Sequence, residues 1–249
     1  MKISATIVTL NEEHNVARAI ESLRCVDEVL VVDSGSTDRT REVAARLGAR
    51  VIEEPWRGYA GQKNFAAALA ANEWILSIDA DEAVAEELEA EILLLKKNGP
   101  KFDGYSMPRL AQYLGRWIHH GGWYPDRKVR LYRRSSAEWV GAYVHESVRL
   151  NGTPGELQGN LLHFTCDSLS AHVKTLDRYT TLAAQELAAK GIRPGLYRII
   201  LDPPWTFFRT YVVRRGFLDG LHGFVIAWMA ALYTFLKYTK ARLTATRKK

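Results

Sequence analysis

The sequence predicts a doubly wound α/β fold, in which helices cover both faces of a mostly parallel sheet. Short apolar or β-branched runs alternate with helical patterns over the first hundred residues, the order that builds consecutive βαβ units. Two of the predicted strands end abruptly in carboxylates, at Asp33 and at Asp79 and Asp81. Sheets of this kind bind ligands outside the carboxyl ends of their strands. A binding site is therefore expected at this edge of the sheet.

Each predicted element has a local signal. β-branched and apolar runs predict strands over residues 3–10, 28–32, 49–53 and 74–78, and later over 105–108, 128–133 and 143–150. Helical spacing predicts one helix that begins at residue 11 and a second that is capped by Ser36 or Thr37 and runs to residue 47. Further helices are predicted over residues 60–71, 86–97 and 168–190. The change of pattern after residue 98 indicates that the second half of the sheet is built differently from the first.

Residues 117–125 form a loop rich in aromatic residues and glycine. Loops of this composition often bind ligands. A packed loop, whose aromatic rings cover the sheet, is an equally good interpretation. The sequence leaves both open.

Composition places the chain among folded proteins. Of its 249 residues, 47% are hydrophobic and 25% are charged, which excludes a disordered chain. We expect a main domain over residues 1–165 and a helical extension over residues 166–249. Cys25 and Cys166 lie far apart in apolar surroundings, which predicts core packing in a reducing compartment. The first ten residues read as a strand and are too short for a signal peptide, so a cytoplasmic location is expected.

Positive charge is concentrated in the extension. The formal net charge is +6, and residues 190–249 contain 12 Lys and Arg against two acids. Basic residues flank Trp, Phe and Tyr over residues 196–213, and a fourteen-residue apolar run follows over 223–236, short of the roughly 20 residues that span a bilayer. This pattern predicts a segment lying on an anionic membrane surface. A helix pair packed on the main domain is the alternative, and nucleic acid is not an expected partner.

Asp79 and Asp81 are separated by one residue, so an extended backbone points both carboxylates to the same side. Such a pair can bind a divalent cation, Mg²⁺ or Mn²⁺, together with phosphate oxygens. The sequence contains no glycine-rich phosphate-binding loop, which also favours phosphate binding through a cation. The simpler interpretation is that Asp81 caps the helix over residues 86–97.

Four segments, in this order and spacing, resemble the inverting family 2 glycosyltransferases, which have the GT-A fold. They are Ile7-Val-Thr-Leu-Asn-Glu-Glu13, Val31-Val-Asp-Ser-Gly-Ser-Thr-Asp38, Gln62-Lys-Asn64 and Ile78-Asp-Ala-Asp-Glu82. The resemblance covers residues 1 to about 150 and implies a nucleotide-sugar half over residues 1–98 and an acceptor half over 99–165. It implies that Thr9, Asn11, Glu12, Asp33 and Lys63 surround the nucleotide, that Asp79 lies near the ribose and the metal, and that Asp81 binds the metal.

The catalytic base is the point at which the sequence departs from this family. The family usually carries its base on a Glu-Asp pair, whereas the segment Gly141-Ala-Tyr-Val-His-Glu146 has His-Glu here. An inverting transfer needs one base to deprotonate the acceptor hydroxyl. Glu146 is our choice for that base, and Asp126 is the alternative. His145 and His163 are expected to pack or to orient other groups, although either is able to bind a metal.

The His-Glu form, residues 123–127 and the tail around Arg214 most resemble a branch similar to the lipopolysaccharide core β-1,4-glucosyltransferases. The resemblance implies transfer of glucose from UDP-glucose to an inner-core, lipid-linked glycan at the cytoplasmic face of the membrane. Two alternatives stay open, namely a different acceptor such as a polyprenyl phosphate, and a non-catalytic protein that binds nucleotide sugars. Nucleotidyl transfer is disfavoured, because those enzymes typically need a glycine-rich basic loop near the N-terminus.

Overall fold

The computed structural model describes residues 1–141, 146–166 and 168–246. The chain divides into two compact units, Met1–Arg109 with Asp126–His163, and Leu110–Pro125 with Phe164–Lys249. The sequence predicts a domain boundary after residue 165. In the structure, the second unit also includes residues 110–125. The reason is that these residues contact the tail, as described below.

The first half of unit 1 consists of alternating strands and helices. Its strands are β1 (Ile3–Thr9), β2 (Glu28–Asp33), β3 (Arg50–Glu53), β4 (Trp74–Asp79) and β5 (Glu82–Val84), and its helices are α1 (Val16–Glu21), α2 (Thr40–Arg46), α3 (Tyr59–Leu69) and α4 (Glu86–Asn98). β1 pairs in parallel with β2 and β4, and β2 pairs in parallel with β3. All apolar side chains of β1 and β4 except Val8 are buried, as expected for strands covered on both faces.

The later strands are mainly antiparallel. They are β6 (Gly104–Tyr113), β7 (Arg116–Ile118), β8 (Asp126–Arg133), β9 (Ala137–Val140), β10 (Ser147–Leu150), β11 (Gly155–Glu156) and β12 (Leu161–Cys166). β8 pairs with β4 and β6, β12 pairs with β5, and β9 and β10 form a separate hairpin. The predicted α/β fold is confirmed, with the parallel pairing concentrated between β1 and β4. Of the strand predicted over residues 143–150, β10 covers the last four residues, and residues 143–145 lie outside the described part of the chain.

Two predicted helix caps are wrong. Asp81 does not cap α4, because that helix begins at Glu86 after an extended Ala85, and Asp81 lies in the turn between β4 and β5. Neither Ser36 nor Thr37 caps α2, which begins at Thr40. The hydroxyl of Ser36 donates to Asp33 instead. Both errors have one cause, since side chains that suit a helix cap equally suit a loop built for another purpose.

Unit 2 contains the helical tail. Its helices are α5 (Leu169–Ala189), α6 (Leu196–Phe208) and α7 (Gly220–Thr246), and a π-helical turn and a 3₁₀ turn over Arg209–Val213 and Gly216–Asp219 connect the last two. The prediction for α5 is confirmed, with the Ser168 side chain accepting a hydrogen bond from the amide of Ala171. The sulfur of Cys166 lies 3.0 Å from the carbonyl of Ser168, and both cysteines are free thiols.

The length of α7 corrects the sequence analysis. The fourteen-residue apolar run is part of a helix of 27 residues. Within the described residues, the helical stretch Gly216–Leu243 is long and apolar enough to cross a membrane. Buried helices of soluble proteins reach the same length and composition. These two properties alone therefore do not decide whether α7 crosses a membrane.

Asp219 anchors the loop over residues 117–125. Its carboxylate is 3% exposed, accepts hydrogen bonds from the amides of His119 and His120 at 3.3 and 2.8 Å, and lies 3.1 Å from Nδ1 of His120. The ring of Trp123 packs edge-on against Tyr113. The loop is thus held inside unit 2 by one carboxylate that follows it by a hundred residues.

We expect Asp219→Ala to destabilise the protein, because the amides of His119 and His120 and the His120 ring lose their buried acceptor. Leaving such donors unpaired costs about 2–3 kcal/mol, which lowers the Tm by roughly 4–12 °C in a chain of this size. Thermal unfolding followed by circular dichroism measures the change. Asp202→Ala removes the same charge from α6 and is the matched control. Equal Tm values for the two variants would contradict the anchoring role.

Candidate active site

Three strand ends converge at the carboxyl edge of the parallel strands. In the register of the sheet, Thr9 of β1 lies opposite Asp33 of β2, and Val8 lies opposite Asp79 of β4. The two acidic strand ends predicted from the sequence therefore flank the end of β1. This edge is where ligands of open α/β sheets bind.

Asp33 organises the turn that follows β2. It is fully buried and accepts hydrogen bonds from the hydroxyls of Thr9 and Ser36 and from the amides of Gly35 and Ser36. These four bonds use the acceptor positions of both carboxylate oxygens. Direct contact between Asp33 and a nucleotide, as the resemblance implies, requires the displacement of one of these donors. In the structure Asp33 acts on the site by shaping the loop.

Asn11 and Glu12 form the loop that follows β1. Asn11 has a φ of +56°, and its side-chain oxygen accepts hydrogen bonds from the amide and the hydroxyl of Thr37. The amide of Glu12 donates to the hydroxyl of Thr40 at 2.8 Å. The loops after β1 and β2 are therefore joined into one surface by side-chain to backbone bonds.

Lys63 connects two of the predicted site residues. The side chain lies on α3, is buried, and places Nζ 2.8 Å from Oδ1 of Asp79 and 3.1 Å from Oε1 of Glu146. Its ammonium also lies 4.3 Å from the centre of the Trp139 ring. A buried cation needs such partners. The structure thus brings together Lys63, Asp79 and Glu146, which the sequence places in three separate motifs.

Arg130 holds the other oxygen of Asp79, and the sequence analysis missed it. Its Nη2 lies 2.9 Å from Oδ2 of Asp79 and 2.8 Å from Oε1 of the fully buried Glu82. Burial by itself raises the pKa of Asp79, but the charges of Arg130 and Lys63 outweigh it and hold this pKa far below its usual range. Both oxygens of Asp79 are therefore occupied by cations. This arrangement disfavours Asp79 as a metal ligand.

Asp126, the alternative base, is paired with two cations. Its Oδ2 lies 2.6 Å from Nη2 of Arg109, and its Oδ1 lies 3.0 Å from Nζ of Lys128. Burial raises the pKa of Asp126, and the two cations lower it by more, so the net shift is downward. A lower pKa makes a carboxylate a weaker proton acceptor. The environment of Asp126 therefore disfavours it as the base.

Asp81 and His163 offer the donor atoms that fit a divalent cation. Oδ2 of Asp81 lies 3.3 Å from Nε2 of His163, and both side chains are partly exposed. Burial raises the pKa of nearby Glu12, the hydrogen bond from Asn15 lowers it, and the negative charge of Asp81 raises it further. Across the described residues, no group of three or more His, Cys, Asp or Glu side chains is placed to hold a metal. A cation here would depend on phosphate and water oxygens for its remaining ligands.

A charged pocket of about 340 Å³ lies next to these groups. It is lined by Asp79, Arg109, Arg127, Lys128, Val129, Arg130, Trp139, Glu146, Ser147 and Val148. Of the two candidate bases, Glu146 lines the pocket. Four cationic side chains line it as well, those of Arg109, Arg127, Lys128 and Arg130. His145 lies outside the described residues.

Comparison with known proteins identifies the family. The description Glycosyl transferase family 2 matches residues 4–147, more than half of the chain. The chain belongs to glycosyltransferase family 2. The lipopolysaccharide core biosynthesis glycosyltransferase LpsC of Rhizobium meliloti is 34% identical over 96% of this chain and 92% of its own length. An uncharacterized glycosyltransferase of Rickettsia conorii is 35% identical over the whole chain and 92% of its own length.

Solved structures share the fold of this glycosyltransferase. A mycobacterial protein has a TM-score of 0.51 and 18% identity, covering 78% of this chain and 76% of its own. Glucosyl-3-phosphoglycerate synthase from Mycobacterium tuberculosis, in complex with Mn²⁺ and UDP-glucose, has a TM-score of 0.50 and 19% identity, covering 78% and 80%. At this identity the likeness concerns the fold alone. The predictions of a family 2 glycosyltransferase and of its fold are confirmed.

The sequence analysis of this glycosyltransferase missed Glu82, Arg109, Arg130 and Trp139. None of these residues stands out in the local sequence. Glu82 belongs to an acidic run, and Arg130 is one of several arginines in and after β8. A usable signal was the alternation of β8, which places Arg130 two residues from Tyr132 on the same face of the strand. That face is buried, and a buried arginine on it demands an acidic partner.

We expect Asp79→Asn to lower the Tm near neutral pH, because Lys63 and Arg130 lose their shared carboxylate. The pKa of Asp79 is depressed in the folded protein, so its stabilisation is fully present above the unfolded-state pKa of about 3.9 and is lost as the pH falls below it. The Tm difference between wild type and variant should therefore narrow below about pH 4.

Thermal unfolding between about pH 3 and about pH 8 tests this dependence. Asp103→Asn is the matched control, since Asp103 pairs with Arg133 at the surface and such exposed pairs contribute little. A Tm difference for Asp79→Asn that stays constant down to about pH 3 would show that the charge of Asp79 does not stabilise the fold.

Proposed function

We propose that this glycosyltransferase transfers glucose from UDP-glucose, with inversion, to a lipid-linked glycan acceptor of the lipopolysaccharide inner core. The observation that carries the proposal is the position of Glu146, which opens onto the charged pocket and lies beside the Lys63–Asp79 pair. The 34% identity to LpsC over nearly the full chain supports this class of acceptor. The fold shared with the UDP-glucose complex is compatible with this donor.

The basic side chains of the pocket suit the diphosphate of the donor. Nη2 of Arg130 is held by Asp79 and Glu82, so Arg130 contributes fixed positive charge. Arg127 and Lys128 are more exposed and are placed to contact an anion directly. The joined loops after β1 and β2, which contain Asn11 and Glu12, form the proposed nucleotide surface.

Asp81 and His163 are the side chains that would hold a divalent cation. A mixed oxygen and nitrogen donor set favours Mn²⁺ over Mg²⁺. When bound, the cation supplies positive charge that stabilises the departing diphosphate. Asp79 keeps its ion pairs in this arrangement and places Lys63 next to Glu146.

Glu146 is the proposed base. It accepts the proton of the acceptor hydroxyl as the hydroxyl oxygen bonds to the anomeric carbon and the bond from that carbon to the diphosphate oxygen breaks on the opposite face. One base suffices for a single displacement, which inverts the configuration. Lys63, 3.1 Å from Oε1 of Glu146, positions the carboxylate toward the pocket.

The tail is proposed to lie on the inner surface of an anionic membrane. α7 is long enough to cross a bilayer, but its Lys240 pairs with Asp177 of α5 at 2.6 Å. α5 exposes Lys174 and Arg178 beside that pair, and carrying these charges into hydrocarbon is costly. α6, in contrast, has no buried residue, and it exposes Leu201 and Trp205. An interfacial position accommodates both helices.

Glu146→Gln should abolish most turnover while leaving donor binding nearly intact, because the amide keeps the size of the side chain but cannot take a proton. General-base removal costs on the order of 10²–10⁴ in rate, and the loss belongs to kcat rather than to the donor KM. Transfer of labelled glucose from UDP-glucose to an inner-core acceptor measures it. Asp126→Asn is the matched control.

Three outcomes separate the alternatives. Lost turnover in Asp126→Asn with retained turnover in Glu146→Gln would move the base to Asp126. Transfer to a polyprenyl phosphate in place of the inner-core acceptor would overturn the acceptor assignment. Transfer from another nucleotide sugar, with UDP-glucose inactive, would overturn the donor assignment.

Asp81→Asn and His163→Ala should each weaken Mn²⁺-dependent binding of UDP by roughly 10–100-fold, since each removes one proposed ligand. Calorimetric titration of UDP with and without Mn²⁺ measures the effect, and both variants should keep the wild-type circular dichroism spectrum. Asp103→Asn removes an exposed charge elsewhere in unit 1 and is the control. The same Mn²⁺ dependence in all three variants would rule out this pair as the metal site.

A further inference from the structure

The hairpin of β9 and β10 carries the proposed base. The two strands form a sheet of their own, apart from the large sheet of unit 1. Val140 pairs with Ser147, so Glu146 directly precedes the first paired residue of β10. A two-stranded hairpin is only marginally stable by itself in water. The position of Glu146 therefore depends on the side chains that hold the hairpin against the rest of unit 1.

Asn64 of α3 holds β9 by its backbone. Its Nδ2 donates to the carbonyl oxygen of Trp139 at 2.9 Å, and its Oδ1 accepts a hydrogen bond from the amide of the same residue at 2.9 Å. The N–H and C=O of one strand residue point to the same side, where a neighbouring strand would pair. The side-chain amide of Asn64 takes the place of that strand and fixes β9 in position and direction.

Lys63, the residue before Asn64 on α3, contacts the same hairpin at Glu146. Its Nζ lies 3.1 Å from Oε1 of Glu146 and 4.3 Å from the centre of the Trp139 ring. Trp139 is 4% exposed, and its Nε1 donates to the hydroxyl of Tyr132 on β8 at 2.9 Å. Two consecutive residues of α3 thus hold the hairpin, Lys63 through Glu146 and Asn64 through Trp139.

The two contacts differ in what they fix. A lysine ammonium is a point charge on a flexible stem, and it holds a carboxylate without a strong preference for direction. Each hydrogen bond of a planar amide, in contrast, has a preferred direction. The side chain of Lys63 is therefore able to follow Glu146 when the hairpin shifts on α3, whereas the two bonds of Asn64 oppose the shift itself.

We propose that Asn64 is a positioning residue of the transfer reaction, which holds β9 and β10 on α3 so that Glu146 faces the pocket. The inference rests on the proposed function, in which Glu146 is the base, and adds the side chain that aims this base. Trp139 and Glu146 both line the pocket, and Asn64 acts on them through the hairpin. A base that is misplaced by about 1 Å costs on the order of 10²-fold in rate.

Asn64→Leu keeps the volume of the side chain and removes both hydrogen bonds. We expect kcat for glucose transfer from UDP-glucose to an inner-core acceptor to fall by roughly 10–100-fold, because the base is misplaced. The donor KM should stay within about twofold of wild type, because the nucleotide surface is unchanged. Asn72→Leu is the matched control, since the Asn72 side chain donates to Ser4 near the amino end of β1, and it should keep kcat. Wild-type kcat in Asn64→Leu, or an equal fall in both variants, would overturn the proposal.

Amide hydrogen exchange followed by mass spectrometry measures the hairpin directly. Exchange in peptides that cover residues 137–140 and 147–150 should be faster in Asn64→Leu than in wild type, and unchanged in Asn72→Leu. Asn64→Ala removes the same two bonds without crowding and is measured alongside, so that the test does not depend on the folding of one variant. Wild-type exchange of the hairpin in the Asn64 variants would show that β9 is held without Asn64.

A double-mutant cycle separates positioning from a general loss of stability. In the Glu146→Gln background, Asn64→Leu should lower kcat by less than about threefold further, because Asn64 acts through a base that is already disabled. Multiplication of the two separate losses would show that Asn64 acts independently of Glu146 and would rule out the positioning role.

The same assays separate this inference from the proposed function. Wild-type turnover in Glu146→Gln would overturn the proposed base, and the positioning role with it. Lost turnover in Glu146→Gln together with wild-type turnover in Asn64→Leu would overturn the positioning role alone and leave the base standing.

Discussion

The site depends on the carboxylate of Asp79, which two buried cations share. Lys63 of α3 holds one oxygen and Arg130 of β8 holds the other, so three elements that are distant in sequence meet at one strand end. Removing any member leaves a buried charge without its partner, which costs far more than the pair contributes. The network therefore fixes where Glu146 lies, because Lys63 also binds Glu146. It is also the reason why we propose Asp81, whose carboxylate stands outside these pairs, as the metal ligand.

The parallel half of the fold was predictable because its signals are local. β1, β2 and β4 are short runs rich in apolar and β-branched residues, and a buried parallel strand produces that pattern without help from the rest of the chain. The pairing of β5 with β12 had no such signal, since it joins residues about eighty positions apart through a three-residue strand. The predicted helix starts were wrong for the opposite reason. Ser36 and Asp81 carry good local cap signals, but each side chain is used by a neighbouring loop or strand end.

The same division applies to the site. The motifs located Lys63, Asp79 and Glu146 one at a time, and the fold brings them together. Arg130 and Glu82 were not predictable as site residues, because their significance comes from ion pairs that span 51 and 48 positions. The preference for Glu146 over Asp126 as the proposed base likewise rests on the surroundings of the two side chains. Arg109 and Lys128 depress the pKa of Asp126, and no local feature of the sequence around Asp126 indicates that Arg109 lies beside it.

In the tail, placement of charge matters more than its sum. The count of basic residues over 190–249 overstates the positive charge that the tail has to offer a partner, because Lys240 pairs with Asp177 and Arg242 donates to the carbonyl of Pro194. These contacts attach the end of α7 to α5 and to the start of α6. Arg198 and Lys237 are instead held over tyrosine rings, 6.0 Å from the centre of Tyr197 and 4.4 Å from that of Tyr238. The helices thus divide their cations into those that join the tail together and those that lie over aromatic rings.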